Sequence, residues 1–260
     1  MGNIKPVEEL KFSDNFMFNQ VMQDDSTCIG LLERLLKIKI DHIERVQLEK
    51  EIKPYYSSKS VRLDVYVKDS DKVYDIEMQS RDYEDLPRRL RYYQSMLDAN
   101  ALVKGQRYSE LYDSFILFIC KNDPVGVGFP VYTFLETCQQ NKNILLEDGT
   151  HKYFFNADAA EKEKDVEIRN FLNYIKTDDA SDEFTRKIDD MVKRIKQNEE
   201  FKEQYMFESL ALQDERRWQK IQDAVIIVKK YGASPLEAAK DLDITEKEVL
   251  KALEKEKQKA

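Results

Sequence analysis

VRLDVYVKDSDKVYDIEMQ, residues 61–79, is the stretch on which the reading of this fold turns. Val61–Lys68 and Lys72–Gln79 alternate as strands do, and Asp69-Ser70-Asp71 supplies a turn between them. On the first strand Val61, Leu63, Val65 and Val67 share one face, and Arg62, Asp64 and Tyr66 share the other. On the second, Tyr74, Ile76 and Met78 lie opposite Val73, Asp75, Glu77 and Gln79. With Lys68 paired to Val73, Asp64 falls directly across from Glu77, and opposed residues point to the same side. Two like charges there repel, and a divalent cation between them is the simplest reason to keep both. Mg²⁺ takes oxygens from one or two carboxylates and otherwise keeps water and phosphate oxygens. So held, it polarises a phosphoryl group and provides a bound water as nucleophile. Gln79 shares the face of Glu77 and is placed to orient that water, while the Met78 backbone carbonyl stays beside the metal. The hairpin is a candidate site for phosphodiester hydrolysis. The plainer alternative is a solvated polar face, with Arg62 pairing to either acid. The concentration of Asp75, Glu77 and Gln79 on one face, and the arginines that follow, weigh against it.

Working outward, residues 14–37 read as two short helices broken near Asp24-Asp25, with Phe16, Val21 and Met22 on the first and Leu31, Leu32, Leu35 and Leu36 on the second. Leu86 to about Lys104 is a helix that tolerates Pro87 in its first turn. SFILFICK, residues 114–121, is the near-continuous apolar run of a strand covered on both faces. Val131–Thr137 follows as a fourth strand after the Asp123–Pro130 loop. This alternation predicts an α/β fold, a mixed sheet flanked by helices, with an α-helical C-terminal extension. Composition shifts near residue 157, which sets a domain at 1–157 against a helical region at 158–260. In the latter Val166, Leu172 and Ile175 mark one helix; Phe184, Ile188, Val192 and Ile195 mark another, with Ser181 as its N-cap. The tail, with Gly232 as a C-cap, Pro235 opening a helix and a tight turn at Asp243–Thr245, has the outline of a helix-turn-helix. Its last helix shows Glu246, Lys247, Glu248, Lys251 and Glu254, a mixed-sign face better suited to packing or dimerisation than to reading bases.

The balance of 42 Lys+Arg against 50 Asp+Glu gives a net charge of −8, which excludes non-specific coating of nucleic acid but not a local basic groove. Only 7 glycines in 260 residues leave no phosphate-cradling Gly-rich loop, and 2 histidines cannot build a His-based zinc cluster. Cys28, Cys120 and Cys138 lack metal-ligand spacing and suit a reducing compartment. The sequence shows neither a signal peptide nor a membrane span, so a cytoplasmic protein without membrane association is expected. Arg62, Arg81, Arg88, Arg89 and Arg91 cluster around the carboxylate pair as a DNA backbone would require. Salt bridging of these arginines to Asp82, Glu84 and Asp85 is the alternative use for them.

The order of helix, strand with R-x-D, hairpin, strand ending E-x-Q and Arg-rich helix resembles the PD-(D/E)XK nuclease superfamily. More narrowly it resembles the recombination-promoting nucleases, whose members are often labelled transposases. The matching stretches are the hairpin, FSDNFMFNQVM at 12–22, LPRRLRYYQSMLDANALVKGQRY at 86–108 and SFILFICKNDP at 114–124, within roughly residues 8–157. The resemblance implies a restriction-endonuclease-like core and DNA cleavage dependent on Mg²⁺ or Mn²⁺, in the service of recombination or transposition. It implies Asp64 and Glu77 as metal ligands, with Gln79 where the superfamily has lysine. A lysine ammonium stabilises developing negative charge, whereas an amide orients and hydrogen-bonds. The superfamily's early helix acid maps to Asp14 in preference to Glu33, with an N-cap as the ordinary role for Asp14. Two other readings compete with the endonuclease. One is a nuclease-fold DNA-binding or regulatory protein that cleaves little; the other is an interaction protein that forms homo-oligomers through its C-terminal helices.

Overall fold

The computed structural model describes residues 4–40, 42–43, 45–52, 61–82 and 85–257. In chain order the elements are α1 (Asn15–Val21), α2 (Asp25–Leu36), β1 (Arg45–Ile52), β2 (Val61–Asp69), β3 (Lys72–Gln79), α3 (Leu86–Ala101), β4 (Asp113–Cys120), β5 (Val131–Phe134) and β6 (Thr150–Asn156). They are followed by α4 (Val166–Thr177), α5 (Glu183–Lys196), α6 (Glu199–Tyr231), α7 (Pro235–Asp241) and α8 (Glu246–Lys257). The strands form one six-stranded sheet in the order β1-β2-β3-β4-β6-β5. β1, β2 and β3 run antiparallel, β3, β4 and β6 run parallel, and β5 pairs antiparallel to β6. This is the mixed, helix-flanked sheet expected of the restriction-endonuclease-like α/β fold.

Two strands escape the sequence pattern. β1 reads RVQLEKEI, with too many charges to signal a buried strand, and β6 begins THK before its apolar end. Both are recruited by neighbours: β1 by the far edge of β2, and β6 by the buried Ser114–Cys120 run of β4. The helix after the hairpin ends at Ala101, three residues short of the expected Lys104, and the fourth strand stops at Phe134.

β3 and β4 form the centre, and every residue from Val73 to Gln79 and from Ser114 to Cys120 is buried. α3 covers one face of this centre: Leu90, Tyr93 and Leu97 share a core with Val73, Ile116, Phe118 and Phe154. Tyr74, Phe115 and His151 stack in series across β3, β4 and β6, with Phe115 and His151 ring centroids 4.2 Å apart, so that histidine is a packing residue. α1 lies against β2 and β3. α5 approaches α2 at Gly30, where an added Cβ would sit 2.9 Å from the Phe184 ring. Arg34 of α2 bonds Asp182 at 2.7 Å and lies over the same ring. Asp182, rather than the expected Ser181, caps α5: its carboxylate accepts the Thr185 N–H, which Ser181 is one residue too early to reach.

The chain separates into two compact units, Leu10–Gln197 and Met1–Glu9 with Asn198–Ala260. The strands end at Asn156, close to the shift in composition, whereas α4 and α5 belong to the unit that holds the sheet. In the other unit, α6 ends at Gly232, whose φ of 73° provides the left-handed cap that glycine adopts without strain. Ser234 and Glu237 form a capping box at the start of α7. Ala224, Ala238, Ala239 and Val249 make the small core of α6, α7 and α8.

Candidate active site

The hairpin register is the one counted from its turn: Asp69 pairs with Lys72, Lys68 with Val73 and Val65 with Ile76. There the ladder between β2 and β3 stops, and the side chains of the next pair take over. The Asp64 backbone N–H donates to Glu77 Oε1 at 2.9 Å, and the Met78 N–H donates to Asp64 Oδ2 at 3.1 Å. Each carboxylate therefore occupies a place where a backbone carbonyl would otherwise sit, and this reciprocal bridge fixes Asp64 beside Glu77. On the other flank, Leu48–Val65 and Lys50–Leu63 bracket Glu49 opposite Asp64. Glu49 breaks the regular strand there with a φ of 49°, a left-handed conformation that a non-glycine residue adopts at a cost.

Burial sets the electrostatics. Asp75 and Glu77 are fully closed to solvent and Gln79 is 3% exposed, so the solvated-face alternative does not describe this hairpin. Burial, with Glu49 adding to it, pushes the Asp64 carboxyl up to about 6, against the pull of the Met78 N–H and Arg89. Asp75 and Glu77 are raised well above the usual carboxylate range, first by burial and then by the charge of Asp64. Among the described residues no N–H or hydroxyl group donates to either Asp75 oxygen, and its polar neighbour is the Glu77 carboxyl.

A cation does enter the site. Arg89, one turn into α3, places Nη2 2.9 Å from Glu77 Oε2 and Nη1 3.0 Å from Gln79 Oε1. Its Nε donates to the Tyr93 hydroxyl at 2.9 Å, an i,i+4 contact on the same helix. The Gln79 amide nitrogen faces Glu77 Oε2 at 3.5 Å, so both ends of that amide lie within the network.

The remaining residues singled out in the sequence are spread around this centre. Asp14 precedes α1 and accepts the Lys11 N–H at 2.7 Å. Its neighbour Asn15 turns toward Asp64, Nδ2 to Oδ2, at 3.5 Å. Met78 buries its side chain, as expected of the apolar face. Arg62 is exposed and lies 3.6 Å from Glu49. Arg88 and Asp85 are both exposed and 3.8 Å apart, a weak pairing. Arg81 and Arg91 are exposed and make no ion pair among the described residues. Asp82 is held by Asn122 at 2.9 Å, while Glu84 lies outside the described residues. Of the five arginines, Arg89 bonds the buried Glu77, while Arg62 lies at the rim beside Glu49.

Asn15, Asn19 and Glu49 were not legible as site residues. Asn19 donates to Glu49 at 3.3 Å. The signal that was available for Asn15 is its position in FSDNFMF beside Asp14, but a short polar side chain before a helix reads first as a cap.

A family model described as "PD-(D/E)XK nuclease family transposase" matches residues 14–224. The chain belongs to that family. The match takes in α1, the hairpin and α3, so it covers every residue of the carboxylate network. Membership of the PD-(D/E)XK nucleases carries a nuclease-like function, and such nucleases generally use divalent metal ions. Neither the curated proteins nor the solved structures provide a match. Among the described residues, no group of three or more His, Cys, Asp or Glu side chains is arranged to hold a metal ion, and no helix is long and apolar enough to cross a membrane.

Proposed function

We propose that this protein is a DNA endonuclease dependent on Mg²⁺ or Mn²⁺ that promotes recombination or transposition. Asp64 and Glu77 would hold the ion, with the Met78 carbonyl beside them. The observation that carries the reading is the reciprocal bridge, Asp64 N–H to Glu77 and Met78 N–H to Asp64, which holds two carboxylates side by side against their repulsion. A donor set of two carboxylates and a backbone carbonyl suits a small hard cation that retains water. The concentration of buried acids, Asp75 next to Glu77 among them, fits a site that gains from added positive charge. When bound, such an ion polarises the scissile phosphoryl group and provides the nucleophilic water. The protein's own part is to fix Asp64 and Glu77, to keep Arg89 beside them, and to offer exposed Arg62, Arg81, Arg88 and Arg91 to the phosphate backbone. Asp14, committed to its own turn, is the weakest of the candidate ligands.

Plasmid nicking with Mg²⁺, with EDTA and with Asp64→Ala tests this. Cleavage that needs the ion and disappears in the variant supports it; cleavage in EDTA removes it. A second reading, a DNA-binding or regulatory protein with little cleavage, is favoured by the guanidinium that already occupies Glu77. DNA binding without nicking at any Mg²⁺ or Mn²⁺ concentration would decide for that reading. Assembly of homo-oligomers through the C-terminal helices and residence in the cytoplasm remain proposals from sequence; sedimentation and cell fractionation test them.

A further inference from the structure

We propose that Arg89 is the charge-bearing group of this site and that Gln79 is its holder. The inference rests on the nuclease reading above and names a residue that the E-x-Q pattern conceals. Position 79 is where a lysine would bring positive charge. Gln79 is turned inward instead: it is 3% exposed, its oxygen accepts from Arg89 at 3.0 Å and its nitrogen faces Glu77 at 3.5 Å. An amide with both ends so engaged positions a neighbour rather than a water. The neighbour is a guanidinium. Arg89 is fixed by Glu77, Gln79 and the Tyr93 hydroxyl, and its plane is flanked by the Tyr93 and Phe118 rings at 5.1 and 5.7 Å.

Exposure separates Glu77 from Arg89. Glu77 is closed to solvent, whereas 28% of the Arg89 side chain is exposed, so Arg89 carries the network's charge to the surface where a phosphodiester would lie. A guanidinium stays protonated at neutral pH, so its role is to hold negative charge and not to move a proton. A fixed cation at the point where charge develops is worth ~10²–10³ in rate. Gln79 fixes where that guanidinium points, since its oxygen takes one of the two terminal nitrogens while Glu77 takes the other.

The competing explanation is that Arg89 only neutralises buried Glu77. Full-length wild type, Arg89→Ala, Gln79→Lys and the double variant separate the two. The readouts are Mn²⁺ affinity by calorimetry, thermal melting, and single-turnover plasmid cleavage at saturating Mn²⁺. Arg89→Ala is expected to bind Mn²⁺ at least as tightly as wild type, because a cation competing for Glu77 is gone, and to cleave ~100-fold more slowly. Gln79→Lys alone sets an ammonium beside the guanidinium and is expected to cleave more slowly than wild type. The double variant moves the charge from α3 to β3 and is expected to recover to within about tenfold of wild type. Should Arg89→Ala fail to fold, the double variant still keeps a cation on Glu77 and decides alone. Wild-type rates in Arg89→Ala, or a folded, Mn²⁺-binding double variant that does not cleave, would overturn the proposal while leaving the nuclease reading intact. A wild type that does not nick DNA, whether or not it binds Mn²⁺, overturns both.

Discussion

Asp64 carries a cost that pH can expose. Burial pushes its carboxyl up to about 6 in the folded chain from an ordinary value of 3.8, and Asp75 and Glu77 are raised in the same direction. The folded state therefore holds protons that the unfolded state has released, and stability falls as pH rises. For Asp64 the contribution is complete below about pH 4 and is lost through about pH 6. Thermal melts of the metal-free chain at pH 5, 6 and 7 are expected to show a falling midpoint. Asp64→Asn should flatten that fall and raise the midpoint at pH 7, because an ionised, repelling carboxylate becomes a neutral amide. A slope as steep as wild type in the variant would show that Asp64 is not one of the titrating groups. Added Mn²⁺ should raise the midpoint more at pH 7 than at pH 5, since binding requires the ionised acids. Asp75→Asn, which exchanges a fully buried acid beside Glu77 for its neutral isostere, should leave melting at pH 7 unchanged or raised; a fall of several degrees would reveal an interaction of the ionised form.

At the scale of elements, α3 does two jobs with one helical period. Arg89 and Tyr93 lie on the face toward β3 and β4, while Arg88 and Arg91 are exposed. The double replacement Arg88→Ala with Arg91→Ala should lower the slope of log K against log salt for DNA binding by ~1.8, about 0.9 for each phosphate that is no longer neutralised. Melting should barely move, since an exposed pair such as Arg88–Asp85 is worth ~0–1 kcal/mol. An unchanged slope would confine both arginines to the helix surface and take them out of the DNA interface. The hairpin is the other element whose geometry matters. Its ladder gives way one residue beyond Val65–Ile76, and the unpaired amides of Asp64 and Met78 are taken up by carboxylates. A buried N–H left unpaired is costly, so these amides secure the acids as much as the acids satisfy them.

Over the whole molecule, two compact units imply two stabilities. Val249 is fully buried in the small core of α6, α7 and α8. Val249→Ala should cost on the order of 2 kcal/mol within that unit. Hydrogen exchange is expected to speed up across 198–257 while the amides of β3 and β4 keep their protection. Equal loss in β4 would show that the chain unfolds as one. The net charge of −8 belongs to this scale too. If the proposed DNA binding rests on local arginines set against a repelling whole, it should weaken steeply with salt.

Period-two alternation and a short turn were enough, from sequence alone, to set Asp64 beside Glu77, because hairpin register follows from counting outward from the turn. The same local logic placed β4 as a strand buried on both faces, Pro87 in the first turn of α3 and Gly232 at the end of α6. Local rules could not say what covers a face. Asp75 looks like a solvated acid until α3 packs over it, and Arg89 looks like one more surface arginine until the helix phase turns it toward Glu77. β1 and β6 become strands because β2 and β4 present open edges, a demand made by partners distant in the chain. Asn15 meets Asp64 across 49 residues, and no spacing in the sequence encodes that contact. The carboxylate pair is a property of one hairpin. Its burial, its guanidinium and its neighbours on α1 and β1 arise only when separate elements close around it.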